Sequence, residues 1–213
     1  GTVILNSNLT GNVVTTGNQG ILTTTGATQT ITGNIGSSTS LDLGILNIGS
    51  DTVSANYSKT TINGDVFADS TVLNNNGTTN SSELILASGK NMTSTITTTD
   101  ANMGILTLAG GIQTVTGQVG NGNKLAEVNA GNGTSTFVND VYATNLDVEG
   151  TGTVNLDGKF TGTAVRYNAD GTVILADTKN IDSSVTTTTN NTGTLSLEGS
   201  STVIGQVGAS GAS

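Results

Sequence analysis

Apolar and polar residues alternate over many short stretches of the chain. Residues 21–24 and 28–32, for example, combine Ile and Leu with Thr and Gln in the two-residue period of a strand that buries one face. No segment places apolar residues at helical spacing over three turns, so the chain is predicted to be all β. In the first third of the sequence, the predicted strands are 3–5, 13–15, 21–24, 28–32, 41–48, 60–62 and 66–73.

One segment of the sequence occurs three times. The copies at 20–36 and 104–120 both begin with Gly-Ile-Leu-Thr, and 193–208 is a shorter copy. Their first glycines are 84 and 89 positions apart, so the differences in length are expected to lie in loops. Neighbouring segments recur in the same order, which indicates that a block of several strands was duplicated: 1–5, 82–86 and 171–175; 13–16, 95–99 and 185–189; and 64–68 with 139–143.

Strands that recur roughly every 8 to 12 residues fit two architectures, a hairpin-connected sandwich or barrel and a parallel β-helix. The Asn-Gly and Asp-Gly pairs that mark hairpins also suit the corners of a coil. The long repeats favour a right-handed parallel β-helix (β-solenoid), an elongated rod in which each block divides into about four rungs. About ten rungs would make a rod of roughly 50 Å. The Asn-Gly and Asp-Gly pairs are Asn63-Gly64, Asn76-Gly77, Asn121-Gly122, Asn132-Gly133, Asp157-Gly158 and Asp170-Gly171.

The repeats also predict the domain organisation. A single solenoid is expected over 1–207, with imperfect repeats at about 1–80, 81–165 and 166–207. Residues 208–213, which are Gly, Ala and Ser, are expected to form a flexible tail.

Composition agrees with a coiled β architecture. The chain has 30 Gly and no Pro. Proline would remove N–H donors from the ladders between rungs, whereas Gly supplies the positive φ that tight corners require. Apolar residues make up 33% of the chain and charged residues 10%, which indicates a folded protein with a lean core. Thr and Asn on the outer faces are expected to stack as ladders between successive rungs.

The charge balance argues against two classes of partner. With a net charge of −9 and only six Lys and Arg, the chain lacks the basic clusters that bind nucleic acid or an anionic membrane surface. The absence of Cys excludes disulfides and thiolate chemistry and fits export through a periplasm. The sequence contains no apolar stretch of membrane-spanning length and does not begin with a signal peptide, so any targeting segment is expected outside it.

The repeated segments resemble a known family. Gly-Ile-Leu-Thr followed by Gln-Thr-Val-Thr-Gly-Gln-Val-Gly at 104–120, the stretch at 8–18 and Asp-Val-Phe-Ala at 65–68 are similar to the passenger regions of rickettsial outer-membrane protein A and B type surface cell antigens. These proteins are autotransporters. The resemblance implies a virulence-associated surface antigen, exported through the periplasm by its own C-terminal translocator barrel, which would lie outside this sequence. It further implies display at the outer membrane as an adhesin or S-layer-like coat that binds a host cell-surface receptor.

Few residues suggest catalysis or metal binding. The chain has no His and no Cys, which excludes a His-based triad, a His metal site and a Cys nucleophile. Paired carboxylates, as in glycoside hydrolysis, remain, and the closest acidic group in sequence is followed by Lys159 and Arg166. No EF-hand loop or Gly-Gly-x-Gly-x-Asp repeat indicates a calcium site. The acidic residues of that group are Asp140, Asp147, Glu149 and Asp157.

Three functions therefore stay open. The first is a non-enzymatic surface adhesin or coat segment with no cofactor and no catalytic or metal residues. The second is a polysaccharide-active β-helix enzyme that uses the acidic group near Asp147. The third is a structural scaffold that self-associates through exposed strand edges at the rod ends. The six aromatic residues are expected to pack in the structure rather than to bind a ligand: Tyr57, Phe67, Phe137, Tyr142, Phe160 and Tyr167.

Overall fold

The computed structural model describes residues 1–37, 41–50, 57–75 and 80–208. These residues form twenty β-strands and contain no helix, which confirms the all-β prediction. The strands are β1 (Thr2–Leu5), β2 (Leu9–Thr10), β3 (Gln19–Thr24), β4 (Thr28–Thr32), β5 (Leu43–Ile48), β6 (Lys59–Ile62), β7 (Val66–Leu73), β8 (Glu83–Leu86), β9 (Met92–Thr98), β10 (Met103–Leu108), β11 (Gly111–Val115), β12 (Leu125–Ala130), β13 (Gly133–Phe137), β14 (Val141–Val148), β15 (Thr153–Leu156), β16 (Phe160–Tyr167), β17 (Thr172–Leu175), β18 (Asn180–Thr187), β19 (Thr194–Leu197) and β20 (Thr202–Val203).

Most of the strands predicted in the first third of the chain are present, with ends that differ by no more than two residues. The exception is 13–15, where only Val13 forms a β-bridge, to Ile35. Thr15 instead donates its hydroxyl to the carbonyls of Leu41 and Asp42, at 2.9 and 3.0 Å, so the chain leaves the ladder after Val13. The predicted tail, apart from Gly208, lies outside the described residues.

The strands pair in parallel with strands one turn away, so the chain coils into a β-helix of about nine turns. This confirms the predicted β-solenoid. Odd-numbered strands form one ten-stranded sheet and even-numbered strands form the other. At roughly 4.8 Å per turn, nine turns give a stack about 43 Å long.

The paired residues follow three ladders, numbered here in their order around a turn. Ladder 1 begins with β1, β3 and β5, ladder 2 with β2, β4 and β6, and ladder 3 with Val13 and Ile35. Strands β7 and β9 run from ladder 3 into ladder 1, whereas β14, β16 and β18 run from ladder 1 into ladder 2. The remaining long strands are β8, β10 and β12 in ladder 2 and β11, β13, β15, β17 and β19 in ladder 3.

The core lies along the axis of the coil. Alternate side chains of each strand point inward and stack on the equivalent side chains of the next turn, as Leu84, Leu106 and Val128 do in ladder 2, where all three are fully buried. The buried apolar residues form a cluster that runs from Leu22 to Val185. Stability therefore comes from contacts between neighbouring turns rather than from a thick core.

The three copies of the repeated segment begin on different ladders. Copy 20–36 begins with β3 in ladder 1, copy 104–120 with β10 in ladder 2, and copy 193–208 with β19 in ladder 3. The preceding strands β1, β8 and β17 shift in the same way. The duplicated block is thus a whole number of turns plus one third, a fraction that the prediction of about four rungs per block did not include.

The glycines at the two ends of the repeated segment form corners. At Gly120 an added Cβ would lie 2.0 Å from the carbonyl oxygen of Tyr142 on the next turn, and at Gly36 it would lie 2.2 Å from that of Phe67. Both the backbone conformation and the close approach therefore require glycine. Positive φ is found at Gly20, Gly104 and Gly193 (+91°, +77° and +84°) and at Gly36, Gly120 and Gly208 (+71°, +73° and +81°).

Glutamine closes one corner of the repeat. Gln29, which is 1% exposed, accepts a hydrogen bond from the Gly26 N–H at 2.9 Å and donates its Nε2 to two carbonyls of the preceding turn. Gln113 makes the same contacts with Gly110 and three carbonyls of its preceding turn. The shorter third copy has Ser201 in this place, and its buried Oγ makes no hydrogen bond to the described part of the chain.

A row of stacked Asn and Asp side chains supports the corner that precedes ladder 3 in the first five turns. The Oδ1 atom of each member accepts a hydrogen bond from a backbone N–H one turn further along, at 2.8 to 3.0 Å. These bonds satisfy backbone donors that the corner removes from the strand ladders. The acceptors are Asn12, Asn34, Asp65 and Asn91, and the last donor is Thr114.

Candidate functional site

The acidic residues that are close in sequence are separated by the coil. Asp140 immediately precedes β14 where that strand lies in ladder 1, Asp147 lies in the ladder 2 part of β14, and Asp157 directly follows β15 in ladder 3. Glu149 follows β14 and accepts a hydrogen bond from Asn168 Nδ2 at 2.7 Å. These residues therefore do not form the facing pair that glycoside hydrolysis requires.

Asp147 belongs to an ionic cluster with Arg166 and Glu127. The Arg166 Nε donates to Asp147 Oδ1 at 2.5 Å, and Nη2 contacts Asp147 Oδ2 and lies 3.3 Å from Glu127 Oε1. Asp147 is 2% exposed, and its hydrogen bond to Arg166 raises the pKa of the guanidinium above its ordinary value. The geometry is that of a bidentate structural pair. The pair engages both oxygens of Asp147, the most buried carboxylate in this part of the rod.

Replacing Arg166 with Met is expected to destabilise the last turns by about 2 kcal/mol, because Asp147 would stay buried without a cation. The expected loss is smaller than for a fully buried pair, since the Arg166 side chain is 35% exposed and water can reach the site. The free energy of unfolding in urea checks the change. The double variant Asp147→Asn/Arg166→Met should recover part of the loss, and a single variant as stable as the parent would contradict a structural role.

Lys159, Tyr142 and Asp140 form a second polar contact, where β14 and β16 begin in ladder 1. The Lys159 Nζ lies 5.0 Å from the centre of the Tyr142 ring, which is cation–π geometry. Asp140 accepts from the Tyr142 hydroxyl at 3.3 Å and from the Lys159 backbone N–H at 3.0 Å. The interaction with Tyr142 raises the pKa of Lys159. The three residues thus interact with one another.

Most aromatic residues serve packing. Phe137, Phe160 and Tyr167 are at most 3% exposed, and the Tyr167 hydroxyl donates to the Thr194 carbonyl at 2.8 Å. Burial raises the pKa of Tyr167 well above its ordinary value. Phe67 and Tyr142 occupy equivalent corners beside Gly36 and Gly120, as their places in the repeats predict.

Each ladder carries an outward Thr–Asn pair between adjacent turns. In every pair the Asn Nδ2 donates to the Thr Oγ1 of the preceding turn, at 3.1 to 3.4 Å. This confirms the predicted stacking of Thr and Asn on the outer faces. The pairs are Thr23 with Asn47 in ladder 1, Thr107 with Asn129 in ladder 2 and Thr136 with Asn155 in ladder 3.

The charged residues of ladder 2 are also paired along the rod. Lys59 Nζ lies 2.7 Å from Glu83 Oε2, and Glu83 Oε1 accepts from the Thr107 hydroxyl at 2.9 Å. Among the described residues, no group of three or more Asp and Glu residues could hold a metal ion. The outward side chains named above are thus hydroxyl, amide and paired ionic groups that contact one another between turns.

The ionic pairs were missed by sequence reasoning because their partners are one turn apart. Asp147 and Arg166 are 19 positions apart, as are Thr134 and Thr153, which pair in ladder 3. The Thr-Val pairs at 153–154 and 172–173 are separated by this same turn length. This spacing is the sequence pattern that could have identified the ionic pairs.

Comparisons with known proteins give no relative. No protein-family model matches the chain, and no curated protein matches it. No solved structure matches it either. A helix able to cross a membrane is absent from the part of the chain that the structure describes.

Proposed function

We propose that this chain is a surface-displayed, non-enzymatic segment of an autotransporter passenger of the rickettsial outer-membrane protein A and B type. The observation that carries the proposal is the stack of about nine turns with a continuous core. Such a rod is suited to holding a binding surface at a distance from the membrane. The repeated segments that resemble this family supply the functional part of the proposal.

The proposed partners follow from this role. A host cell-surface protein would be bound by the displayed passenger, and the chain's own C-terminal translocator would thread it through the outer membrane after passage through the periplasm. The absence of Cys and Pro supports such a route, because a chain without disulfides or slow proline isomerisation stays free of covalent and isomerisation traps before it folds outside.

The rod also supports a structural role in a coat. Val3 and Ile4 are 59% and 69% exposed on the first turn, and Val207 is 61% exposed on the last. Exposed apolar side chains beside unpaired strand edges favour self-association of the isolated chain. The coat role therefore accompanies the adhesin role rather than replacing it.

Binding of the purified chain to host cells tests the proposal. Labelled protein, first separated into monomer and oligomer by gel filtration, should bind in a saturable way and should be displaced by unlabelled protein. The matched control is the Gly120→Ala variant, in which the turn from Gly120 to Tyr142 is disrupted while the surface charge is unchanged. Loss of binding in this variant would place the binding surface near that turn, and no saturable binding by either oligomeric form of the parent chain would count against the adhesin role.

A polysaccharide-active enzyme is less well supported. It was suggested by the acidic residues between Asp140 and Asp157, and these lie on different ladders or are paired with Arg166. Release of reducing ends from bacterial or host polysaccharides by the purified chain would nevertheless favour this function over the adhesin role.

A further inference from the structure

Asparagine followed by glycine is the sequence at which an asparagine side chain most readily reacts with its own backbone. Three such pairs lie in described parts of the chain, Asn63-Gly64, Asn121-Gly122 and Asn132-Gly133, whereas Asn76-Gly77 lies outside them. The same dipeptide thus occurs in three environments within one rod.

Asn121 and Gly122 are both exposed, in the corner between the ladder 1 residue Val119 and β12. Neither the Asn121 side chain nor the Gly122 N–H makes a hydrogen bond to a described residue. The φ angle of Gly122 is +88°, and no atom lies within 4 Å of the place where a Cβ would be. The dipeptide therefore has room to change its conformation.

The other two pairs are held against the preceding turn. At Gly64 an added Cβ would lie 2.0 Å from the Gly33 carbonyl oxygen, and at Gly133 it would lie 2.2 Å from that of Gly111. Asn132 Oδ1 accepts from the Thr151 N–H at 3.0 Å, which fixes its side chain. The backbone of Asn63 donates to the Ile31 carbonyl at 2.9 Å. The backbone rotation that ring closure needs would break these contacts.

We propose that Asn121 is a site of spontaneous deamidation in the folded protein. Hydroxide removes the proton of the Gly122 amide, and the resulting nitrogen attacks the Asn121 Cγ, forming a C–N bond. The side-chain amide nitrogen takes up a proton and leaves as ammonia, giving a succinimide ring. Water then adds to either ring carbonyl and opens it to aspartate or to isoaspartate, so no oxidant, metal or enzyme is required.

The rod is expected to stay folded after this reaction. The Gly120 N–H donates to the Ile96 carbonyl at 2.8 Å before the reactive pair, and Asn123 Nδ2 donates to the Thr98 and Thr99 carbonyls at 3.1 Å after it. The extra backbone methylene of isoaspartate would lie between these two anchors, outside the strand ladders. Each event replaces a neutral amide with a carboxylate and makes the already acidic chain more negative.

Site-resolved mass spectrometry after incubation of the whole folded chain at mildly alkaline pH tests the proposal. Asn121 should gain the mass of deamidation at least about tenfold faster than Asn63 or Asn132, which corresponds to a barrier difference of about 1.4 kcal/mol. In urea the three rates should converge, because the dipeptide is then the same in each environment. The peptide that contains Asn76 is scored separately.

The chemistry provides two further controls. Incubation in ¹⁸O-labelled water should place the heavy oxygen in the product, and a methyltransferase specific for isoaspartate should label the peptide that contains residue 121. The Gly122→Ala variant should slow the reaction, since a Cβ hinders approach of the nitrogen. Equal rates at Asn121 and Asn132 in the folded protein, or an unchanged ratio of rates in urea, would overturn the proposal.

Discussion

Replacing Gly120 with Ala is expected to lower the free energy of unfolding by at least about 3 kcal/mol. Holding a non-glycine residue at a φ of +73° costs about 1–2 kcal/mol. The new Cβ would in addition lie 2.0 Å from the Tyr142 carbonyl oxygen, and that oxygen belongs to the backbone of the next turn. Relief would require the two turns to separate, with loss of ladder hydrogen bonds.

Gly122→Ala is the matched control for this change. Gly122 has a φ of +88° but no atom within 4 Å of the Cβ position, so only the backbone cost of about 1–2 kcal/mol is expected. Gly36→Ala, which faces the Phe67 carbonyl at 2.2 Å, should behave like Gly120→Ala. Urea unfolding of the three variants measures the difference. Equal losses for Gly120→Ala and Gly122→Ala would show that turns are not in contact at this corner.

Truncation of Phe160 to Ala is expected to cost about 3–5 kcal/mol. Phe160 is fully buried and pairs with Val141 on one side and Ile181 on the other. Its ring also fills the space beside Gly162, where an added Cβ would lie 2.7 Å from the ring Cζ. A cavity at this position would weaken contacts with both neighbouring turns.

The Phe160→Ala substitution should increase local opening only in the turns next to residue 160. In a stacked array each turn contacts only its neighbours, so amide hydrogen exchange should accelerate most in β14, β16 and β18 and least in β1 to β5. Ile112→Ala, at a residue that is 77% exposed, serves as the surface control and should change stability by less than about 0.5 kcal/mol. Uniform acceleration along the whole rod would argue against nearest-neighbour stacking.

The positions of the strands could be predicted because they are encoded locally. Alternation of Thr with Ile or Leu identifies β3 and β4, and glycine marks the corners around them. The inward direction expected for Ile is correct at Ile31 but not in β3, where Leu22 and Thr24 are buried instead of Ile21. Gln29 is in phase with Ile31 and is also buried, and its buried amide is understood only from the carbonyls that it contacts on the preceding turn.

The contacts between turns could not be predicted, because turn length varies along the chain. Ile31 pairs with Ile62, a separation of 31 positions, whereas Asn145 pairs with Ala164, a separation of 19. A repeat of about 84 residues therefore does not by itself give the number of turns that it contains. The cluster of Asp147 with Arg166 depends on this register, and so does the separation of Asp140 from Asp157.

Successive copies of the repeated segment begin one ladder further around the coil, and the structure of the corners explains why this shift is possible. Gly20, Gly104 and Gly193 all have positive φ, and each lies at the start of a strand or directly before it. Because a strand and its corner are compatible with any of the three ladders, a duplicated block can be accommodated without completing a whole turn. The β-helix tolerates such duplication as long as each new strand finds a parallel neighbour.

Disulfide trapping across the turns tests the three-ladder register most directly. The chain has no Cys of its own, and residues opposite each other in adjacent parallel strands lie roughly 4.8 Å apart, within the range a disulfide can bridge. Paired Cys substitutions at Thr23 and Asn47, at Thr107 and Asn129, and at Thr136 and Asn155 would place one bridge in each ladder. We expect all three pairs to form intramolecular disulfides on mild oxidation of the folded protein, whereas Thr23 paired with Thr107, at equivalent places in two copies of the repeat, should not. A bridge between Thr23 and Thr107, or failure of the three ladder pairs to close, would contradict the account.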